Sequence, residues 1–284
     1  MSAGPSVARI ARQRRHTLAF LGEIRAVSPV FLGADVDLTR VLEHRAAART
    51  RGARYSLVTY ILHTGARVLA EHPEANAALA GRWRLRLANP TGVHGKLALD
   101  KTVDGHRIVL STVLQDLNVA DLDDIQSRID HYRDGDPARL PEYAPARLLH
   151  RLPRPLGSVL IRLAARSASR RPAAYGTFAV TSLGHRPVDD FYSVGGPTIT
   201  IGVGRYTDRP VVRDGRIEIA PVLRLSLTFD HRVIDGAEAA DVLADLVAGL
   251  EEYEHAADPG ADADAKDADV KAETASYAPT AQLA

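Results

Sequence analysis

The chain has 284 residues, 45% hydrophobic and 25% charged, enough for one large domain or two small ones. It has no cysteine, which excludes disulfides, thiolate metal sites and a cysteine nucleophile and agrees with a reducing compartment. No apolar run approaches the length of a bilayer span, and Leu18 to Leu21, behind the basic Arg9, Arg12, Arg14 and Arg15, is too short for a signal peptide. A cytoplasmic, soluble protein with no membrane span and no nucleic-acid partner is the expectation.

The formal charge of +1 is unevenly placed. Residues 254–284 hold seven acids and two lysines, a charge of −5, which leaves +6 on residues 1–253. That tail is rich in Ala, Asp and Pro and poor in large apolar residues. It cannot bury enough surface to fold, so residues 254–284 are expected to be a disordered acidic tail. Residues 1–253 are expected to form the folded domain.

In chain order, residues 8–24 have helical character. Residues 29–38 (PVFLGADVDL) alternate as a strand does. Asp37 and Thr39 can cap a helix over 39–51 that ends near Gly52. Ser56 can cap a longer helix to Glu71, closed by His72-Pro73. Residues 97–99 and 107–114 pair as strands around Asp104-Gly105, a favoured hairpin turn. Asn118 or Asp121 opens an amphipathic helix carrying Leu122, Ile125, Ile129 and Tyr132. Further strands are expected over 176–181, 198–203 and 217–228, the last broken near Pro221. A final helix runs over 236–253. Long crossovers mixed with hairpins predict a mixed sheet with helices on its faces, an α/β fold. Gly202-x-Gly204 sits inside a strand pattern with no helix after it, so it is not a dinucleotide loop. The histidines show no H-x-x-x-H pair, and no metal site is expected.

Residues 134–174 are different in kind. They are broken by Pro137, Pro141, Pro145, Pro153, Pro155 and Pro172. Between Ala146 and Pro172 there are seven arginines and no acid, interleaved with Leu148, Leu149, Leu152, Leu156, Val159, Leu160, Ile161 and Leu163. This basic amphipathic insert reads as a surface excursion over its own patch of core. It reads equally as a docking surface for an acidic carrier protein, for cofactor phosphates or for a membrane surface.

Two segments carry candidate chemistry. In LSLTFDHRVIDGA (225–237) an alternating strand stops at His231, and Asp235-Gly236 turns the chain into a helix. A strand end that fixes the backbone and leaves the imidazole free suits proton transfer near neutral pH. The same residues also make an ordinary polar turn. In GTFAVTSLG (176–184) a strand ends in Thr181-Ser182 and a glycine turn. A hydroxyl there can donate to a developing oxyanion, or simply form the turn.

Together the two segments resemble the catalytic domain of the dihydrolipoyl acyltransferases, the 2-oxoacid dehydrogenase acyltransferase family of the chloramphenicol acetyltransferase-like superfamily. The resemblance takes in TITIGVGR, PVVRDGRIEIAP and LSLTFDHRVIDGAEAADVLADL, and continues upstream through ADVDLTRVLEHR, SLVTYILHTGARVLAEHPEANAAL and RIVLSTVLQDLNVADLDDIQSRI, over about residues 8–253. Chloramphenicol acetyltransferases and peptide-forming condensation domains share H-x-x-x-D-G. The latter usually carry a second histidine where this chain has Asp230.

The resemblance implies a two-layer sandwich fold and an acyltransferase catalytic domain over residues 1–253, with 134–174 as an insert. It implies that His231 is the general base, Thr181 the oxyanion donor and Asp235 the carboxylate that orders the loop through an arginine, with Arg12, Arg14 and Arg15 as candidates by position. It further implies a coenzyme A thioester as co-substrate, most simply acetyl-CoA, and no covalent acyl-enzyme. A homotrimer is implied in which histidine and hydroxyl come from different subunits.

No lipoyl domain is expected upstream. Asp100-Lys101-Thr102 lies inside the matched region and reads as strand and turn, not as a lipoyl-lysine. Stand-alone relatives of this kind resemble O-acyltransferases that tailor polyketides and tetronates, which implies a small-molecule hydroxyl as acceptor. The alternatives are a carrier-protein phosphopantetheine or dihydrolipoamide thiol, and a non-catalytic scaffold subunit.

Overall fold

The computed structural model describes residues 10–80, 86–166 and 171–253; the expected tail lies outside them. Helix α1 (Arg15–Glu23) leads into strand β1 (Pro29–Asp37). Helices α2 (Thr39–Thr50) and α3 (Leu57–Glu71) follow, then the single turn α4 (Pro73–Asn76) and the short strands β2 (Ala78–Ala80) and β3 (Arg86–Ala88). Strands β4 (Gly95–Val103) and β5 (His106–Leu114) precede α5 (Leu122–Asp134). The insert forms α6 (Ala144–Arg151), α7 (Arg154–Arg166) and α8 (Arg171–Tyr175). Strands β6 (Phe178–Ser182), β7 (Ile199–Arg213) and β8 (Arg216–Asp230) and helix α9 (Gly236–Glu251) complete the chain.

The local signals act as chemistry requires. Ser56 Oγ accepts the Thr59 amide at 3.2 Å and starts α3, and Asp121 accepts the Asp124 amide at 2.8 Å and starts α5. Asn118, the alternative cap, instead accepts the Val93 amide at 3.0 Å. Asp104 and Gly105 both take positive φ, 50° and 75°, and close the β4–β5 hairpin. Asp214 and Gly215 do the same between β7 and β8.

Six strands form one mixed sheet in the order β1-β8-β7-β6-β4-β5; β6 runs parallel to both neighbours and the other pairs are antiparallel. Phe178, Ile199 and Phe229 stand level across three strands, as do Val180, Ile201 and Leu227. Both rows point into one core, shared with Tyr60, Ile61 and Leu62 of α3, Ile125 of α5 and Val242 and Leu246 of α9. Each such fully buried side chain contributes about 1.5–3 kcal/mol.

The row after them, Thr181, Gly202, Ser226 and Gly33, faces the other side. There the loop after β6 lies backbone-down on the sheet. A Cβ at Gly202 would collide with the Phe191 carbonyl, one at Gly204 with that of Asp189, and one at Gly33 would sit 2.7 Å from the Tyr192 hydroxyl. This explains Gly202-x-Gly204: the glycines admit a crossing backbone.

One expectation fails. Strand β8 is not broken at Pro221 but runs unbroken from Arg216 to Asp230, with Pro221 opposite Asp208 of β7. Strand β1 pairs with β8 only as far as Val222, so Pro221 stands just past the ladder on that side and its missing N–H costs nothing there. The irregularity falls on β7 instead, between Val203 and Tyr206.

Candidate active site

His231 is the first residue past β8. Its amide donates to the Ser28 carbonyl at 2.9 Å, and the Val233 and Ile234 amides return to the Asp230 carbonyl at 2.9 and 3.4 Å. The turn is tightened by the Asp230 carboxylate, which accepts from the amides of Ser28 and Arg232 and from the Arg232 guanidinium, at 2.6 Å for the closest pair. Burial pushes the Asp230 pKa up, but the hydrogen bonds from Arg232 and the Ser28 amide outweigh it and hold the carboxyl below its ordinary value. An ionised pair, its carboxylate buried and its guanidinium at the surface, therefore braces the strand end that carries the imidazole.

The imidazole of His231 is partly exposed beside the Phe229 ring, with centroids 5.5 Å apart. Its Nδ1 lies 3.2 Å from the Ile234 carbonyl and 3.4 Å from Asp235 Oδ1. Both neighbours are acceptors, so Nδ1 is the nitrogen that carries the proton in the neutral ring. The lone pair is then on Nε2.

Asp235 itself precedes α9 and its side chain is 91% exposed. The expected arginine partner is absent: among the described residues its one ion-pair partner is His231. Arg12 turns to Asp104 at 3.7 Å, and Arg15 donates to the carbonyls of His150 and Leu152 at 3.2 and 2.9 Å. The N-terminal helix is thus tied to the insert and to the β4–β5 turn, away from Asp235.

Thr181 lies on β6, level with Gly202 of β7 and Ser226 of β8. His231 is five residues farther along β8. At about 3.4 Å per residue and about 4.8 Å per strand, the two backbones stand on the order of 20 Å apart. One copy of the chain does not bring Thr181 to His231.

The sequence reading missed one feature. A cavity of about 480 Å³ is lined by Arg45, Arg49, Arg54, Tyr55, Ser56, Gln126 and Arg133. Arg45 donates to the Tyr55 carbonyl at 2.8 Å and Arg133 pairs with Asp130 and Asp134. Arg49 and Arg54 form no ion pair among the described residues. The signal available was Arg45 and Arg49, four apart on one helix face; Arg54 and Arg133 join them only through the fold. Among the described residues no three His, Asp or Glu side chains are grouped to hold a metal, and no helix is long and apolar enough to cross a membrane.

The fold is shared with a probable dihydrolipoamide acetyltransferase from Listeria monocytogenes, at TM-score 0.64 and 17% identity over 90% of this chain and 98% of that one. It is shared also with the cubic core of a pyruvate dehydrogenase multienzyme complex, at TM-score 0.60 and 22% identity over 88% and 93%.

Residues 158–257 match the family model of the 2-oxoacid dehydrogenases acyltransferase (catalytic domain). Over 43 residues the chain is 58% identical to the dihydrolipoyllysine-residue acetyltransferase component of the pyruvate dehydrogenase complex of Bacillus subtilis, and 54% identical to that of Staphylococcus aureus. Those matches span 15% of this chain and 10% of the length of each relative. Residues 158–257 are thus similar to that family's catalytic domain, and the fold is the one its solved relatives share.

Proposed function

We propose that this protein transfers an acyl group, most simply acetyl, from coenzyme A to a hydroxyl of a small molecule, in a site assembled from two copies of the chain. The observation that carries the reading is the seat of His231. With Nδ1 committed to Ile234 and Asp235, Nε2 faces outward as a base.

Nε2 takes the proton of the acceptor hydroxyl as its oxygen attacks the thioester carbonyl. The tetrahedral oxyanion accepts a hydrogen bond from Thr181 of a neighbouring copy. Collapse breaks the C–S bond, and the imidazolium returns the proton to the departing thiolate. Asp235 Oδ1, 3.4 Å from Nδ1, lies beside the ring throughout. In the dihydrolipoamide acetyltransferase of Azotobacter vinelandii, a serine, a histidine and an asparagine were investigated for their part in the mechanism, the last two four residues apart. His231 and Asp235 have that spacing.

The arginine cavity suits coenzyme A. The cofactor carries a pyrophosphate and a ribose phosphate, and Arg49 and Arg54 offer guanidinium groups not committed to a carboxylate. Self-association has its own support. Val212, Ile217 and Ile219 are 74–79% exposed on one face of the β7–β8 hairpin beyond the sheet, where Val212 stands opposite Ile217 and Pro210 opposite Ile219. A ring of copies, a trimer as in the resembling family, would cover that face and complete the site.

The test is release of free thiol from acetyl-CoA in the presence of small primary alcohols, dihydrolipoamide or a holo-carrier protein, with acylated acceptor identified by mass spectrometry. Turnover that needs an alcohol and vanishes in His231→Ala supports the proposal. Turnover undiminished in that variant, or none with any acceptor, overturns it.

A further inference from the structure

The insert displays an apolar ridge that the acyl-transfer chemistry leaves unused. Leu156, Val159, Leu160 and Leu163 of α7 recur at i, i+3, i+4 and i+7, one helix face, and are 43–59% exposed. Leu148 of α6 is exposed as well. The opposite side of α7 is engaged: it packs on α1, with Arg162 3.7 Å from Glu23, and Gly157 lies against Leu149. The ridge therefore belongs to a helix seated on the domain, and α8 leads from it into the strand that bears Thr181.

Charge narrows the occupant. The 27 residues from Ala146 to Pro172 carry seven arginines and no acid. Arg147 is held by the carbonyls of Pro137 and Leu140, but Arg151 is exposed with no ion pair among the described residues. A second copy would bring a like-charged ridge against this one, which disfavours self-pairing. The acidic tail of the chain has the right sign but few large apolar side chains to cover the leucines. Helix α7 carries leucine and valine but neither of the tryptophan and phenylalanine anchors common in lipid-lying helices, and the lipid surface is left as an outcome of the test. What fits is an acidic protein with an apolar helix face.

We propose that this ridge docks an acidic acyl-carrier domain, whose phosphopantetheine thioester takes the place of acetyl-CoA as acyl donor or whose tethered acceptor receives the group. The proposal rests on the acyltransfer reading for its chemistry but not for its surface. The experiment uses the full chain and a bacterial acyl carrier protein. Binding of the labelled apo-carrier is followed by fluorescence polarisation, and turnover is compared for the acetylated holo-carrier and acetyl-CoA.

Leu163→Glu and Arg151→Glu, both exposed, should each weaken carrier binding and lower kcat/KM for the acetyl-carrier about 10-fold, while acetyl-CoA turnover changes less than about 2-fold. Binding should also weaken with added salt. The proposal is overturned if the native protein does not bind the carrier, if both donors lose equally, or if the ridge instead drives binding to phosphatidylglycerol vesicles. Deletion of residues 254–284 that exposes carrier binding for the first time would likewise reassign the ridge to the tail. If neither donor is turned over but binding still depends on the ridge, the acyltransfer reading fails and the docking surface stands.

Discussion

If His231 and Thr181 act together although one copy holds them on the order of 20 Å apart, each working site must draw on two chains. General base and oxyanion donor must both lie within about 3 Å of the reacting atoms. Two dead variants should then rescue each other. His231→Ala should lose roughly 10²–10⁴-fold in rate and Thr181→Ala roughly 10²–10³-fold. Co-expressed in equal amounts with different tags, they assemble at random. In a ring with head-to-tail contacts, a site is intact when the copy giving the histidine is Thr181→Ala and the copy giving the hydroxyl is His231→Ala. Each condition holds half the time, so about a quarter of the sites are native whatever the ring size. Thiol release from the unfractionated mixture should recover to about 25% of the native rate per chain, and from doubly tagged trimers to about a third, far above either variant alone. Recovery absent from verified hybrids would refute the shared site, and a fully active monomer in light scattering would do so too.

Other expectations follow from the same geometry. Asp235→Asn should cost only about 3- to 10-fold in kcat with KM unchanged, because the carboxylate is exposed and the Ile234 carbonyl still fixes Nδ1; a loss like that of His231→Ala would assign Asp235 a larger role. Arg49→Ala and Arg54→Ala should raise KM for acetyl-CoA and leave acetyl-pantetheine, which lacks the ribose phosphate, unaffected; equal effects on both would remove the cavity from coenzyme A binding. His72, at the end of α3, lies 2.9 Å from Glu238 and 2.8 Å from Asp245 of α9. Burial pulls its pKa down, but the two carboxylates outweigh it and raise it above the ordinary value. A raised folded pKa stabilises most below the unfolded value near 6.5 and loses that stabilisation as pH rises through the folded one. His72→Gln should therefore lower Tm at pH 6 by the equivalent of about 1 kcal/mol and much less at pH 9; a pH-independent difference would show packing, not charge, at work.

The sequence made the strands with clear alternation visible, and the caps at Ser56 and Asp121, because these are local decisions. It made His231 visible because strand, turn and helix are contiguous there. The break at Pro221 was misread because the cost of a proline depends on whether a neighbour strand reaches it, which is a property of β1, almost 190 residues away. The arginine partner of Asp235 was left open among Arg12, Arg14 and Arg15 for the same kind of reason: proximity in a family motif does not fix where α1 docks, and here Arg12 turns to Asp104 and Arg15 to the insert. The arginine cavity was hidden because Arg133 of α5 joins the Arg45–Arg54 stretch only through the fold. The ridge on α7 was legible as composition, but only the packing of α7 on α1 shows which side of the helix is left uncovered.

The loop over the second face of the sheet has a consequence for tolerance to change. Its path is set by missing atoms, those a side chain would bring to Gly202 and Gly204 beneath the Phe191 and Asp189 carbonyls and to Gly33 beneath the Tyr192 hydroxyl. Apart from Tyr192, the loop can then vary in sequence and keep its seat on the sheet. A single methyl group added at Gly202 or Gly204 would lift the loop from the sheet. The constraint on this half of the site is written in three positions that take no part in chemistry.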